Sequence, residues 1–372
     1  MKFFKTLSIF AGTIIGVGIF GLPYVASKAG FSVVVVYFLF MAGVAIAIHL
    51  IYGKIALGTV ALHRLPGYTK EYLGASWEKF AFLMIGLGLT GALLAYLIVG
   101  GKFLSLFFSP YFGGSFLIYT LLFFSAGAFL IFRGIKSISA IELSLLVVFF
   151  VILIIFFAKA FLFINVDYFK NIDLKFLTLP YGVILFSLWG SALIPEAKEM
   201  LGGDGKILRK VIISGILLAT FTYLFFIFVV LGSSGPLTSK EAISGLAYSL
   251  GDNIIRLGFV FGIITCFTSF LTLGLTFKKV LWYDLGLSKN LSWFIACFFP
   301  LFLFLAGFRE FIEIIGLTGA VAIGCEGIII VFLYRKFLKQ KLAKDMNPLF
   351  YLLPIFFVLG IFFEIFYSIC AK

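Results

Sequence analysis

The chain has 372 residues, of which 63% are hydrophobic and only 12% charged, and its mean hydropathy is +1.19. Such values lie far outside the range of soluble globular domains, and with no alternating ten-residue segments of the β-barrel kind they indicate an all-α polytopic membrane protein. A formal charge of +13 would suit nucleic acid, but its placement along the chain excludes that partner and indicates the lipid bilayer.

Eleven apolar segments are spaced to cross the hydrocarbon: residues 6–27, 31–53, 80–101, 116–133, 141–163, 177–195, 211–232, 256–277, 291–308, 312–334 and 347–370. With a cytoplasmic N-terminus, 20 of the 29 Lys and Arg residues fall on inner loops, Lys54, Arg64, Arg133, Lys136, Lys206 and Lys339 among them. This bias places the protein in the cell (cytoplasmic) membrane, with its C-terminus outside. Lys2 and Lys5 before an apolar run, with "VAS" at 25–27, mimic a secretory leader. A second span follows at once, however, and the glycines do not suit a leader's apolar centre. All four cysteines (Cys266, Cys297, Cys325, Cys370) fall within spans and show neither metal-ligand spacing nor a disulfide framework.

The first span contains "GTIIGVGIFGLP", residues 12–23, with four glycines and a proline. In lipid an unpaired peptide group costs several kcal/mol, so a helix built to break must be buried in protein or must line a wet cavity. Close packing through the small residues of "GTIIG" is the competing reading. The sixth span, "PYGVILFSLWGSALIPEAKE", repeats the feature: Pro195 follows Gly190 by five residues, as Pro23 follows Gly18. Each half has five spans, an odd number, so the halves have opposite orientation, and paired Gly/Pro-interrupted spans in inverted halves mark the binding site of a secondary transporter.

At such breaks the half-helix ends supply the chemistry. The N–H groups around Gly16, Val17 and Gly18 suit a carboxylate, and the freed carbonyls around Thr13, Ile14, Phe186 and Ser187 suit an ammonium group. The expected ligand is a zwitterionic α-amino acid, since the spans lack the hydroxyl and amide side chains a sugar requires. Trp189 beside the second break favours an apolar or aromatic side chain.

"GTIIGVGIFGLPYVASKAGF" resembles the first transmembrane segment of the amino acid/polyamine/organocation (APC) superfamily. "FSLWGSALIPEAKEMLG", "LTSKEAISGL" and "TSFLTLGL" resemble its amino acid permease branch, near the aromatic and neutral amino acid permeases. The resemblance covers about the first 335 residues. It implies a LeuT-type fold with inverted repeats of five helices (about 6–163 and 177–334) in one transporter domain, 1–334, with helices 1 and 6 broken. Residues 335–372 then add a cytoplasmic linker and an eleventh helix. Gly86 and Thr90 of the third span would face the substrate, and helices 2–5 and 7–10 would rock about the broken pair.

Two coupling ions are open. Thr265, Thr268 and Ser269 share one face of the eighth span. The resemblance implies a Na+ site of the Thr268 and Ser269 hydroxyls with the carbonyls of Gly12, Ile15 and Thr265, whereas Ile19, standing where relatives carry Asn, removes a second one. The alternative is H+: Glu326 is an acid at membrane depth in the tenth span, and such groups carry function or a partner. Lys159 lies near the outer end of its span, where it can snorkel, and His49 reads as a hydrogen-bonded helix contact. Glu196 is placed to cap a half-helix or to pair with a basic loop residue. The inner stretch 54–76 is long enough for a short helix, and Thr238 with Glu241 forms a capping-box pattern for an outer loop helix.

An enzyme would need clustered His, Cys or acids, which two histidines and scattered cysteines do not supply. The sequence therefore reads as a secondary active amino acid transporter coupled to Na+ or H+, without cofactor other than the ion. A transport-dead amino acid sensor or a channel on the same fold is the alternative.

Overall fold

The computed structural model describes residues 2–61, 63–134 and 138–370; Lys136 and the side chain of Cys370 lie outside what it describes. Among the described residues all regular structure is helical. The first span is two helices, α1 (Lys2–Ile14) and α2 (Gly18–Ala29), bent by 49° at the break. Then follow α3 (Phe31–Gly58), the short α4 (Leu65–Leu73) within the basic inner stretch, α5 (Ala75–Phe112), α6 (Phe116–Arg133) and α7 (Ile138–Ala160). The sixth span is again two helices, α8 (Pro180–Leu188) and α9 (Ile194–Met200), with residues 189–190 outside any helix. The chain continues through α10 (Gly205–Ser234), α11 (Ala247–Leu250), α12 (Asp252–Lys279), α13 (Lys289–Leu305), α14 (Phe311–Leu317), α15 (Gly324–Leu342) and α16 (Leu352–Cys370). A π-helical turn, Thr318–Ile323, joins α14 to α15 in one span, and a second, Val280–Asp284, extends α12. Seven of these segments are long and apolar enough to cross a membrane unaided, and the bent α1/α2 pair is an eighth.

The helix ends are held by side chains where no neighbouring turn is available. Asp204 caps α10 by accepting the N–H groups of Lys206 and Ile207 at 2.9 and 3.0 Å. Lys278 is buried on α12, and its ammonium donates to the carbonyls of Ile131 and Phe132 at the end of α6. Lys198 on α9 does the same for Ala56 and Thr59 at the end of α3. Each cation sits where a helix presents the negative end of its dipole, which lets a charge lie within the bundle. Gly30 turns the chain from α2 into α3 at φ +107°, a conformation L side chains rarely adopt, with the Asn171 carbonyl where a side chain would start.

A glycine seam lies where α8 crosses α14 and the π turn. A Cβ on Gly182 would run into the Gly316 carbonyl, and one on Gly319 into the Gly182 carbonyl, so the two backbones touch directly. α16 packs on α15.

The outer loop departs from expectation. Thr238 donates to the Gly235 carbonyl and Glu241 accepts from Ser244, so the reciprocal capping box does not form. Ala242 takes a positive φ of 64°, and helix begins only at Ser244 and runs to Leu250. Lys240 instead reaches Glu310 at 2.5 Å, and that hydrogen bond holds the ammonium's pKa above its ordinary value.

Candidate functional site

α1 makes its last regular hydrogen bond at the break, where Ile15 N–H donates to Ala11 O at 2.8 Å, and Gly16 N–H then closes a tight turn on Ile14 O at 2.7 Å. The Val17 N–H then turns to the Tyr96 hydroxyl of α5, at 3.3 Å. The glycines on either side are required by these neighbours: a Cβ on Gly16 would overlap the Tyr96 hydroxyl, and one on Gly18 the Ser187 side chain. Gly12, by contrast, has nothing within 4 Å of where its Cβ would stand, so "GTIIG" does not act as a two-glycine packing face.

The second break is held residue by residue. Trp189 Nε1 donates to Glu326 Oε2 at 3.1 Å, and the Ser191 hydroxyl donates to Glu326 Oε1. Between them the Gly190 N–H donates to Nε2 of the fully buried His49, at 2.9 Å, while Nδ1 of the same ring donates to Ala45 O at 2.6 Å. His49 also lies edge to face on Trp189, with ring centroids 5.0 Å apart. Three consecutive residues at the break, Trp189 to Ser191, are thus tied to two side chains, one on α3 and one on α15.

Both breaks open into one cavity. Thr13, Ile14, Gly16, Val17, Gly18, Phe186, Ser187 and Trp189 line it, together with Glu326. The Thr13 hydroxyl is buried and has no hydrogen-bond partner among the described residues, which leaves it available to a ligand. The cavity continues past Leu273 and Thr276 of α12 to Arg64, Leu65 and Val280, and Arg64 pairs there with Glu196 at 2.9 Å. Most of the wall is apolar, with a few polar groups converging at the breaks, the usual make-up of a small-molecule site.

Several expected residues stand elsewhere. Gly86 and Thr90 do not line the cavity; Ile85, Gly88, Leu89, Ala92 and Tyr96 do. At 3.6 residues per turn these five make one stripe on α5, and Gly86 and Thr90 are about 100° and about 140° out of phase with it. The carbonyls assigned to an ammonium are partly taken: the Tyr223 hydroxyl of α10 lies 2.6 Å from Ile14 O and 2.9 Å from Ser187 O, between the closing ends of both half-helices.

The residues of the expected Na+ site lie on α12 (Thr265, Thr268 and Ser269) and at the end of α1 (Gly12 and Ile15). α1 packs chiefly on α10 and α7, and α12 on α5. Thr268 spends its hydroxyl on the Ile264 and Thr265 carbonyls of its own helix, at 3.1 and 3.2 Å, and Ser269 hydrogen-bonds Tyr96. Lys159 is exposed on α7. Tyr96 and Tyr223 were beyond sequence reasoning, since two of 16 tyrosines in mid-helix carry no distinguishing spacing.

Structures with this arrangement are known. MhsT in complex with L-phenylalanine superposes with a TM-score of 0.68 at 16% identity, covering 97% of each chain. Mhp1, a nucleobase-cation-symport-1 family transporter held closed with bromovinylhydantoin, gives 0.66 at 13% identity over 94% of this chain and 80% of its own. A manganese transporter of Eremococcus coleocola gives 0.67 at 11% identity over 97% and 85%. At such identities the likeness is one of fold, the LeuT-type fold with helices 1 and 6 broken. No curated protein matches by sequence. The profile of the tryptophan/tyrosine permease family matches residues 1–367.

Proposed function

Since the chain belongs to the tryptophan/tyrosine permease family, we propose that it carries an aromatic amino acid across the cytoplasmic membrane by alternating access, driven by the proton gradient. The observation that carries this reading is the single cavity shared by both breaks, with the unpartnered Thr13 hydroxyl on one side and Glu326 on the other. The ammonium group is placed near Thr13 and Glu326, the carboxylate near the Gly18 N–H that opens α2, and the side chain along the Leu89, Phe186 and Trp189 wall. Family membership favours tryptophan or tyrosine, and placement within the APC superfamily accords with it.

The proton reading is favoured over sodium by where the candidate groups lie. Glu326 is a buried carboxylate at the wall of the binding cavity, whose lining does not include Thr265, Thr268 or Ser269. A carboxyl that gains its proton changes both its charge and its hold on Trp189 and Ser191, which links ion and substrate through the second break. The Lys/Arg-rich ends, including the Arg64–Glu196 pair, are assigned to the cytoplasm, so the cavity opens inward.

Reconstituted protein tests this directly. Glu326→Gln is expected to retain counterflow of labelled tryptophan or tyrosine but to lose accumulation driven by an inward proton gradient. Unchanged gradient-driven accumulation in that variant, or wild-type uptake that requires sodium and ignores the proton gradient, overturns the assignment.

A further inference from the structure

A second acid, Glu364 on α16, is buried to 3% exposure, and its Oε2 has no hydrogen-bond partner among the described residues. None of the ion pairs found among those residues includes it. Its setting is tight. Gly360 and Glu364 lie one turn apart on the same face of α16; the first rests on the Tyr181 ring of α8, where a Cβ would overlap, and the second presses its carboxyl on Gly316. The Tyr181 hydroxyl is likewise buried without a partner. Gly316 lies just before the π turn Thr318–Ile323, so this carboxyl sits where α8, α14 and α16 meet.

Glu364 also lines a cavity of about 150 Å³ at the end of the bundle opposite Arg64. The polar groups around it come from several neighbouring elements. Tyr24 and Lys28 of α2 line that cavity, the ammonium of the latter lying 5.4 Å from the Tyr24 ring centre. Lys240 is paired with Glu310, and Glu313 of α14 and Tyr367 of α16 complete the rim. Tyr37 of α3 and Tyr181 are within electrostatic reach of the carboxyl.

We propose that Glu364 is a second protonation site, filled from the outer cavity, whose protonated form allows α16 to lie flush against α8 and the turn before the π segment. The argument is one of solvation. An ionised carboxylate would place an oxygen without a donor among apolar helices, while the neutral acid is buried at far lower cost. Loss of the proton therefore works against the packing of α16, and π turns mark places where helices are strained or rearrange. The inference rests on the proton-coupled reading and on the assignment of this end as outer.

The experiment uses the full chain in liposomes, with counterflow of labelled tryptophan or tyrosine measured at matched inner and outer pH stepped from acid to alkaline. Wild-type rates are expected to fall as the acid ionises. One pH unit above the midpoint only about a tenth of it stays protonated, so Glu364→Gln, which mimics the neutral form, is expected to run about tenfold faster than wild type there. A second measurement needs no variant: a hydrophobic carbodiimide, which reacts with carboxyls in their protonated form, should label Glu364 in wild-type protein increasingly as the pH falls, as located by mass spectrometry. An unaltered pH profile in Glu364→Gln, or no label at any pH, overturns the site. Lost coupling in Glu326→Gln beside an unaltered Glu364→Gln profile sinks the Glu364 site alone. The reverse pair of results sinks the role of Glu326.

Discussion

His49 can accept the Gly190 N–H only through an unprotonated Nε2, so Nδ1 holds the ring proton and donates it to Ala45 O. The ring is therefore a positioning residue for the second break: it fixes Gly190 while its neighbours Trp189 and Ser191 hold Glu326. His49→Phe leaves that N–H buried without an acceptor, at a cost of about 1–3 kcal/mol. The expected result is a lower melting temperature together with a fall in maximal uptake rate. His49→Gln, whose amide oxygen can accept the same N–H, should recover most of both. The place of the breaks was legible in the sequence because Gly and Pro announce weakened helix wherever they occur. What holds the breaks was not, because Tyr96, Tyr223 and His49 come from helices remote in sequence. The same remoteness changes how Gly16 must be tested: with the Tyr96 hydroxyl where its Cβ would stand, Gly16→Leu disturbs packing as well as binding, so an inactive variant would not isolate the site.

Helices show the same division. Apolar run length placed the spans, since the hydrocarbon thickness sets it. Phase within a span was less legible, as Gly86 and Thr90 show: small or polar residues mark many faces of α5, and only the packed neighbours select one. The glycine seam between α8 and the π-turn span is an element-scale feature with a sharp test. Gly182→Ala pushes a methyl group into the Gly316 carbonyl, a backbone atom with no rotamer to yield, and overpacking of this kind costs about 1–3 kcal/mol or more. Gly12→Ala adds the same methyl group in open space. Thermal unfolding monitored by size exclusion should show early loss of folded Gly182→Ala and near wild-type behaviour of Gly12→Ala; equal stability of the two would refute the seam.

At the scale of the whole molecule, Arg64 on the cavity wall pairs with Glu196, and the two partners are about one-fifth and one-quarter exposed. Partly exposed pairs contribute about 0.2–1 kcal/mol, so breaking this one shifts a conformational equilibrium by a few-fold and does not unfold the protein. Arg64→Ala is expected to increase labelling of a cysteine placed at Ala192, on the cavity wall, by a few-fold from the Lys/Arg-rich side. An unchanged labelling rate would mean that the pair does not restrict this mouth. The other conformational constraint is the phenol of Tyr223. A single hydroxyl has one hydrogen to share between two backbone oxygens, from chain segments 173 residues apart (187 − 14). Whenever Ile14 and Ser187 separate, one of the two carbonyls loses that hydrogen and is left to another donor, water or an ammonium group among them.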